Sequence, residues 1–148
     1  MIELPLKAFD LIGNGEHIAL EIYEIYGFPK EIAYGGGFEV NGAVEISVGS
    51  YKVHANHCFT TGELCVFLSE LQRCYNAVSG DAILKNAEQR LKLTIHFNKT
   101  GRVVAYGEFQ ENHNVDTKLI FEMVTDQTAI LKVIRELQYV KKLFDTEK

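Results

Sequence analysis

Chemically reactive features are scarce in this sequence, and each absence narrows what the chain can do. Its 148 residues hold three cysteines, Cys58, Cys65 and Cys74. The number is odd and no CxxC spacing occurs, which argues against a disulfide framework and fits reduced thiols in a cytoplasm. No apolar run approaches the roughly 20 residues that a membrane span needs. Met1-Ile2-Glu3-Leu4 has no basic region leading into an apolar stretch, so no secretory signal is read. Basic charge is also short, with 15 Lys and Arg against 20 Asp and Glu and a net charge of -5. Binding nucleic acid without sequence preference requires clustered Lys and Arg that displace counterions from phosphates, so this balance argues against it. It leaves room for a basic protein partner. No Pro/Ser-rich linker or low-complexity segment divides the chain. Its length and its 47% hydrophobic content suit one domain, residues 1–148.

What is present is mostly pattern. Phe38, Val40, Val44, Ile46 and Val48 share one face of a segment whose other face is Glu39, Asn41, Glu45 and Ser47. Leu91 to Asn98 alternates in the same way, with Leu91, Leu93, Ile95 and Phe97 inward. Thr117 to Val124 puts Leu119, Phe121 and Met123 on one side. Period two with one polar face predicts antiparallel sheet that lies on a core. Further strands are expected at Ile18 to Tyr26, Ser50 to Cys58 and Arg102 to Gln110, with weaker candidates at Leu4 to Phe9 and Ala82 to Asn86. Two segments switch to helical period. Leu64, Phe67, Leu68, Leu71 and Tyr75 follow Thr60-Thr61-Gly62-Glu63, a capping-box pattern. Ile130, Val133, Ile134, Leu137, Lys141 and Phe144 form the second stripe, with Asp126 or Thr125 as N-cap and the Lys141 stem able to snorkel.

The helices resemble each other. Phe67 to Gln72 aligns with Val133 to Gln138 at an offset of 137 − 71 = 66, and the same offset pairs Lys52 with Lys118 and His57 with Met123. Leu6-Lys7 and Leu84-Lys85 are read as similar starts to two halves. The expected fold is α+β: antiparallel sheets in two ββββα halves, with the helices packed on the sheets. The halves differ where the second has a short Lys99-Thr100-Gly101 turn. The first has instead a long Gly27 to Gly37 connection with three closing glycines. An ordinary surface excursion and a partner-contacting loop both fit it.

No catalytic constellation emerges. His54-Ala55-Asn56-His57-Cys58 is the densest group of ligand types, but three residues is an odd step on a strand. His54 and His57 therefore point to opposite faces, His57 inward, and cannot converge on zinc. Adjacent His57 and Cys58 diverge for the same reason. Cys65 and Cys74 lie on roughly opposite sides of the first helix, and Cys74 suits small core filler. Gly35-Gly36-Gly37 lacks the Lys-Ser/Thr of a phosphate-binding loop, and GxSxG, HExxH and EF-hand patterns are missing. No catalytic residue, metal site or cofactor is expected, and the chain is read as a non-enzyme. Glu21-Ile22-Tyr23-Glu24-Ile25-Tyr26 mixes acids with tyrosines, which fits either an interface or an ordinary half-covered strand.

Several features in order resemble the WapI-type immunity proteins of bacterial toxin systems. They are Gly36-Gly37-Phe38-Glu39-Val40; Thr61-Gly62-Glu63-Leu64 leading into Phe67-Leu68; Leu71 with Cys74-Tyr75; and Leu91-Lys92-Leu93. Gly101-Arg102-Val103-Val104, Gly107-Glu108-Phe109 and the run Leu119 to Thr128 follow. The resemblance covers about residues 36 to 140. It implies a small cytoplasmic protein that binds and neutralises the C-terminal domain of a toxin encoded beside it, often a nuclease. It brings no catalytic residues, and a homodimer stays open. On this reading the partner-binding residues are Glu21, Tyr23, Glu24, Tyr26, Tyr34, Glu39 and Glu45, on the long connection and its flanking strands. The strand and helix order is also similar to the Whirly fold, whose plant members bind single-stranded DNA. The outward acids Glu39, Glu45 and Glu108 oppose that function here.

Overall fold

The alternating segments pair with their sequence neighbours, which is the topology that short hairpin connections allow. The computed structural model describes residues 3–30, 36–86 and 88–144. Strands β1 (Leu6–Ile12), β2 (His17–Tyr26), β3 (Glu39–Val48) and β4 (Tyr51–Thr60) form one antiparallel sheet in that order, followed by helix α1 (Thr61–Ala77). Strands β5 (Gly80–Lys85), β6 (Leu91–Phe97), β7 (Val103–Phe109) and β8 (Leu119–Thr125) form the second, followed by α2 (Gln127–Phe144). The ββββα unit thus occurs twice, as the patterning predicts.

The apolar sets face inward. Val40, Val44 and Ile46 from β3, Leu91, Leu93, Ile95 and Phe97 from β6, and Phe121 and Met123 from β8 are buried. They join Leu68 of α1 and Leu137 of α2 in one cluster that draws on both halves. Each such side chain contributes about 1.5–3 kcal/mol on leaving water. The capping box forms: the Glu63 N–H donates to Thr60 Oγ1 and the Thr60 N–H donates to Glu63 Oε1, both at 3.0 Å. Asp126 is the cap of α2, its Oδ1 accepting from the Ala129 N–H at 2.8 Å. One position differs from the expected stripe. Val140 is buried and Lys141 is exposed.

The halves interlock through their helices. Helix α1 packs on β5 and helix α2 packs on β1, so each helix lies against the first strand of the other half. Glu70 Oε1 accepts from the Ile83 N–H of β5 at 2.8 Å, and Glu136 Oε1 accepts from the Asp10 N–H of β1 at 2.9 Å. Glu70 and Glu136 are partners at the 66-residue offset, so the sequence similarity of the helices has a structural content. Each glutamate occupies a sheet edge that would otherwise present an unpaired donor. Two readings of the halves need correction. Leu84-Lys85 ends β5, whereas Leu6-Lys7 begins β1, because β5 starts two residues after the left-handed Val78 that closes α1. The second half also has a long connection of its own, residues 110–118 between β7 and β8, where the first half has the tight Gly49-Ser50 turn.

Candidate functional site

Strict alternation along β2 would send Glu21 and Glu24 to opposite faces of the sheet. The structure does otherwise. Ile22 pairs with Gly42 and Glu24 with Asn41, so Tyr23 is the extra residue of a β-bulge and the alternation resets across it. Gly42 suits the place, because a Cβ there would collide with the Glu21 carbonyl oxygen. Glu21, Tyr23, Glu24 and Tyr26 consequently share the outward face of the first sheet. Glu39 joins them opposite Tyr26 and Thr60, and Glu45 opposite Ala19 and His54. Six of the seven residues expected to bind a partner therefore lie on one surface. Glu39 and Glu45 mark its two ends, roughly 20 Å apart along β3. Tyr34 lies outside the described residues.

The tyrosines on this face are held in place. The Tyr23 hydroxyl donates to Glu21 Oε1 at 3.0 Å, and the Tyr26 hydroxyl donates to Glu24 Oε1 at 2.6 Å. Asn41 Nδ2 adds a second donor to Glu24 Oε1 at 3.2 Å. These bonds hold the Glu24 carboxyl below the usual carboxylate range and push the Tyr26 phenol up, as the bond to Glu21 does for Tyr23. At the β1 side, burial works against ionisation of Asp10. Bonds from His17 at 3.0 Å and Lys7 at 3.1 Å outweigh it and leave its carboxyl below the ordinary value. Asp10, Glu21, Glu24, Glu39 and Glu45 face only Lys7 and Lys52 among Lys and Arg on these strands, so the face is negative.

The face ends at a cleft of about 180 Å³ lined by Tyr26, Glu39, Cys58 and Glu63 together with Asn86 and Glu88 from the β5–β6 connection. Asn86 Nδ2 donates to the Cys58 carbonyl at 3.0 Å and ties the second half to the edge of β4. Sequence reasoning missed Asn86 and Glu88, since nothing local marks a loop residue that closes against a distant edge.

Beside the cleft, the long connection is pinned to α1. Gly37 and Gly62 approach so closely that a Cβ on either would strike the other segment's backbone. The Phe38 N–H donates to Thr61 Oγ1 at 2.8 Å, and the Thr61 N–H donates to the Phe38 carbonyl at 2.9 Å. Gly36-Gly37-Phe38 and Thr61-Gly62-Glu63 are thus two sides of one joint. Phe28 caps it, with its ring edge-on to Phe38 at 5.1 Å and to Phe144 at 5.4 Å.

His57 points inward and His54 outward, as expected. The His57 ring stacks on Phe59 at 5.8 Å and meets Phe109 edge-on at 6.0 Å, and its Nδ1 has no hydrogen-bond partner among the described residues. Burial, reinforced by the Arg90 charge, lowers its pKa to about 4. Among the described residues no group of three or more His, Cys, Asp and Glu side chains is placed to hold a metal ion. No helix among them is long and apolar enough to cross a membrane.

No curated protein matches this chain in sequence. Among solved structures, the plant transcriptional regulator PBF-2 is similar at a TM-score of 0.55 and 10% identity, covering 97% of this chain and 84% of that one. At that identity the likeness shows the fold alone, and it agrees with the Whirly-like order of strands and helices. The family model of the immunity protein WapI-like family matches residues 10–145, a span that includes every strand from β2 onward and both helices. The joint of Gly36-Gly37-Phe38 with Thr61-Gly62-Glu63, the Glu70 and Glu136 edge caps and the β8 strand all fall within that span, and the chain belongs to the WapI-like immunity protein family.

Proposed function

We propose that this chain neutralises a toxic protein domain encoded beside it, and that the outward face of the first sheet is the surface that meets the toxin. The β-bulge at Tyr23 carries the reading, because it gathers Glu21, Tyr23, Glu24 and Tyr26 onto one negative face. The tyrosines suit an interface. Each buries a large area while losing only two side-chain torsions, and here the hydroxyl-to-carboxylate bonds fix them before binding. The toxin is a nuclease on this reading. A nuclease must attract phosphates, so its groove is basic, and a negative inhibitor meets it with complementary potential and a fast on-rate. The inhibitor acts by occupying the active site or substrate groove, with no reaction of its own, in the cytoplasm of the cell that makes the toxin. Single-stranded DNA is the less favoured ligand, because the face that would carry it is lined by Glu21, Glu24, Glu39 and Glu45.

Co-expression tests the proposal. The C-terminal domain of the neighbouring reading frame is expressed with and without this chain. The expected result is growth arrest relieved by the chain, with a complex that co-purifies. Absence of a toxin gene beside it, or neither protection nor a complex, overturns the reading.

A further inference from the structure

Strands β5 and β6 bring two lysines face to face. Lys85 is the register partner of Lys92, and both are exposed on the outward side of the second sheet. Their spacing is the closest that a sheet offers. The Gln110 N–H donates to the Arg90 carbonyl and the Asn98 N–H to the Arg102 carbonyl, so the even-numbered residues of β6 bond toward β7 and the odd-numbered ones toward β5. Lys85 and Lys92 are therefore a non-hydrogen-bonded pair, with Cα atoms about 4.5 Å apart. Like charges directly opposite each other are destabilising. At the other end of the same two strands the pair is compensated, with His96 Nδ1 2.6 Å from Asp81 Oδ1. Near the lysines the carboxylates are taken by other cations: Glu88 bridges Arg90 at 3.6 Å and Glu108 bridges Lys118 at 3.4 Å. Among the described residues no carboxylate forms an ion pair with Lys85 or Lys92.

A cavity of about 470 Å³ opens beside the pair, lined by Lys85, Asn86, Gln89, Leu91, Lys92 and Glu108. One wall is fixed in advance. Asn86 is buried, its Nδ2 donates to the Cys58 carbonyl at 3.0 Å, and its Oδ1 accepts from the Arg90 N–H at 3.2 Å. The Gln89 N–H donates to the Asn86 carbonyl at 3.0 Å and closes the turn. We infer that this cavity binds a phosphate group held between the Lys85 and Lys92 ammonium groups. A carboxylate brings one negative charge and leaves the pair in excess. A phosphate monoester carries about −1.5 to −2 at neutral pH and three acceptor oxygens, enough to bridge two point charges. Small-molecule sites span about 300–1,000 Å³, so the phosphate fills only part of this one. Glu108 on β7 repels an anion, which sets the phosphate toward β5 and β6 and leaves the β7 side to the hydroxylated skeleton that carries it. There the Gln89 amide and the Glu108 carboxylate can pair with hydroxyls. The inference does not rest on the toxin reading, and the cavity lies off the face assigned to the toxin.

Two-dimensional NMR titration of the isotope-labelled chain tests this without any toxin, with ribose 5-phosphate and inorganic phosphate as probes at constant ionic strength. The amides of Lys85, Gln89 and Lys92 should shift saturably, with a dissociation constant on the order of 1 mM or tighter. Tighter binding of ribose 5-phosphate assigns the site to an ester, and equal binding of the two assigns it to free phosphate. Acetate should give no saturable shift. Lys85→Gln and Lys92→Gln should each weaken binding at least about tenfold, while Lys142→Gln, on the exposed side of α2, should leave it unchanged. Without ligand, Lys85→Gln should be at least as stable as the wild type in urea denaturation, because it removes a repulsion. Lys85→Arg keeps the charge and should hold affinity within about threefold, which keeps the test readable if the glutamine variants do not fold. No saturable shift with either phosphate compound up to about 50 mM overturns the inference. So do shifts that persist in the Lys85→Gln, Lys92→Gln double variant, which would mean adsorption elsewhere on the surface. A ligand-free Lys85→Gln chain less stable than the wild type also overturns it, since the two lysines would then not be in conflict.

Discussion

Replacing His57 with Met should remove most of one acid-sensitive step from the stability of this protein. Met123 occupies the position 66 residues on, at the same inward site of the second half, so the fold already accepts a methionine there. In the wild type the ring lies between Phe59 and Phe109, is almost fully buried, and has a pKa lowered from 6.5 to about 4. The unfolded chain takes up a proton near 6.5, and the folded chain resists until near 4. Between those values the unfolded state binds more protons, so stability falls as pH falls. The folded pKa is depressed, hence the contribution is intact above about 6.5 and lost by about 4. A gap of about 2.5 pKa units at 1.36 kcal/mol each bounds the loss near 3 kcal/mol, a large share of the 5–15 kcal/mol that folded domains hold. Carboxylates titrate in the same range, but they are common to both proteins and cancel in the difference. Urea denaturation of wild type and His57→Met at about pH 7.5 and about pH 4 reads it directly. The advantage of the variant should grow by about 3 kcal/mol on acidification. At neutral pH the variant should match the wild type or exceed it, since the unpartnered Nδ1 is gone. A difference that stays constant within about 0.5 kcal/mol between the two conditions would refute the depressed pKa and with it the burial argument.

Three further outcomes are expected. Glu70→Ala and Glu136→Ala each strip an acceptor from an edge-strand N–H, and each should cost about 1–3 kcal/mol in urea denaturation; Gln at either site should recover part of that loss. Thr60→Ala breaks the capping box of α1 and should lower stability by about 1 kcal/mol, while leaving the far-ultraviolet spectrum close to that of the wild type. In calorimetric titration with the toxin domain, Tyr26→Ala should weaken binding by about 2 kcal/mol, whereas Lys142→Ala, on the exposed side of α2, should leave affinity unchanged.

Much of the fold was legible because its signals are local. Alternation in β3, β6 and β8 and the i, i+3, i+4 stripes of the helices each fix a buried face, and Thr60 with Glu63 announces a helix start within four residues. The offset of 66 between the helices aligns Glu70 with Glu136 but says nothing of what they do. Their roles depend on which strand each helix meets, and no short-range pattern encodes a contact 13 or 126 residues away. The candidate residues can be named from the sequence, but their gathering on one face cannot be read there. Period two alone would have split Glu21 from Glu24, and only the pairing of Ile22 and Glu24 with consecutive β3 residues reunites them. The Val140 and Lys141 exchange has a similar cause. A helix keeps 3.6 residues per turn, and both positions fall near the edge of the stripe.

The exchange of helices between the halves bears on how the chain unfolds. Residues 78–79 join α1 to β5 and look like a seam in the sequence, yet cutting there would separate α1 from the β5 edge it seals and α2 from the β1 edge it seals. Neither fragment could close its own first strand. Each would present an unpaired backbone row, the template on which strands of other chains add. Heat should therefore melt both halves in one transition, and two separately made halves should be sticky alone and soluble when mixed, each supplying the helix that the other lacks.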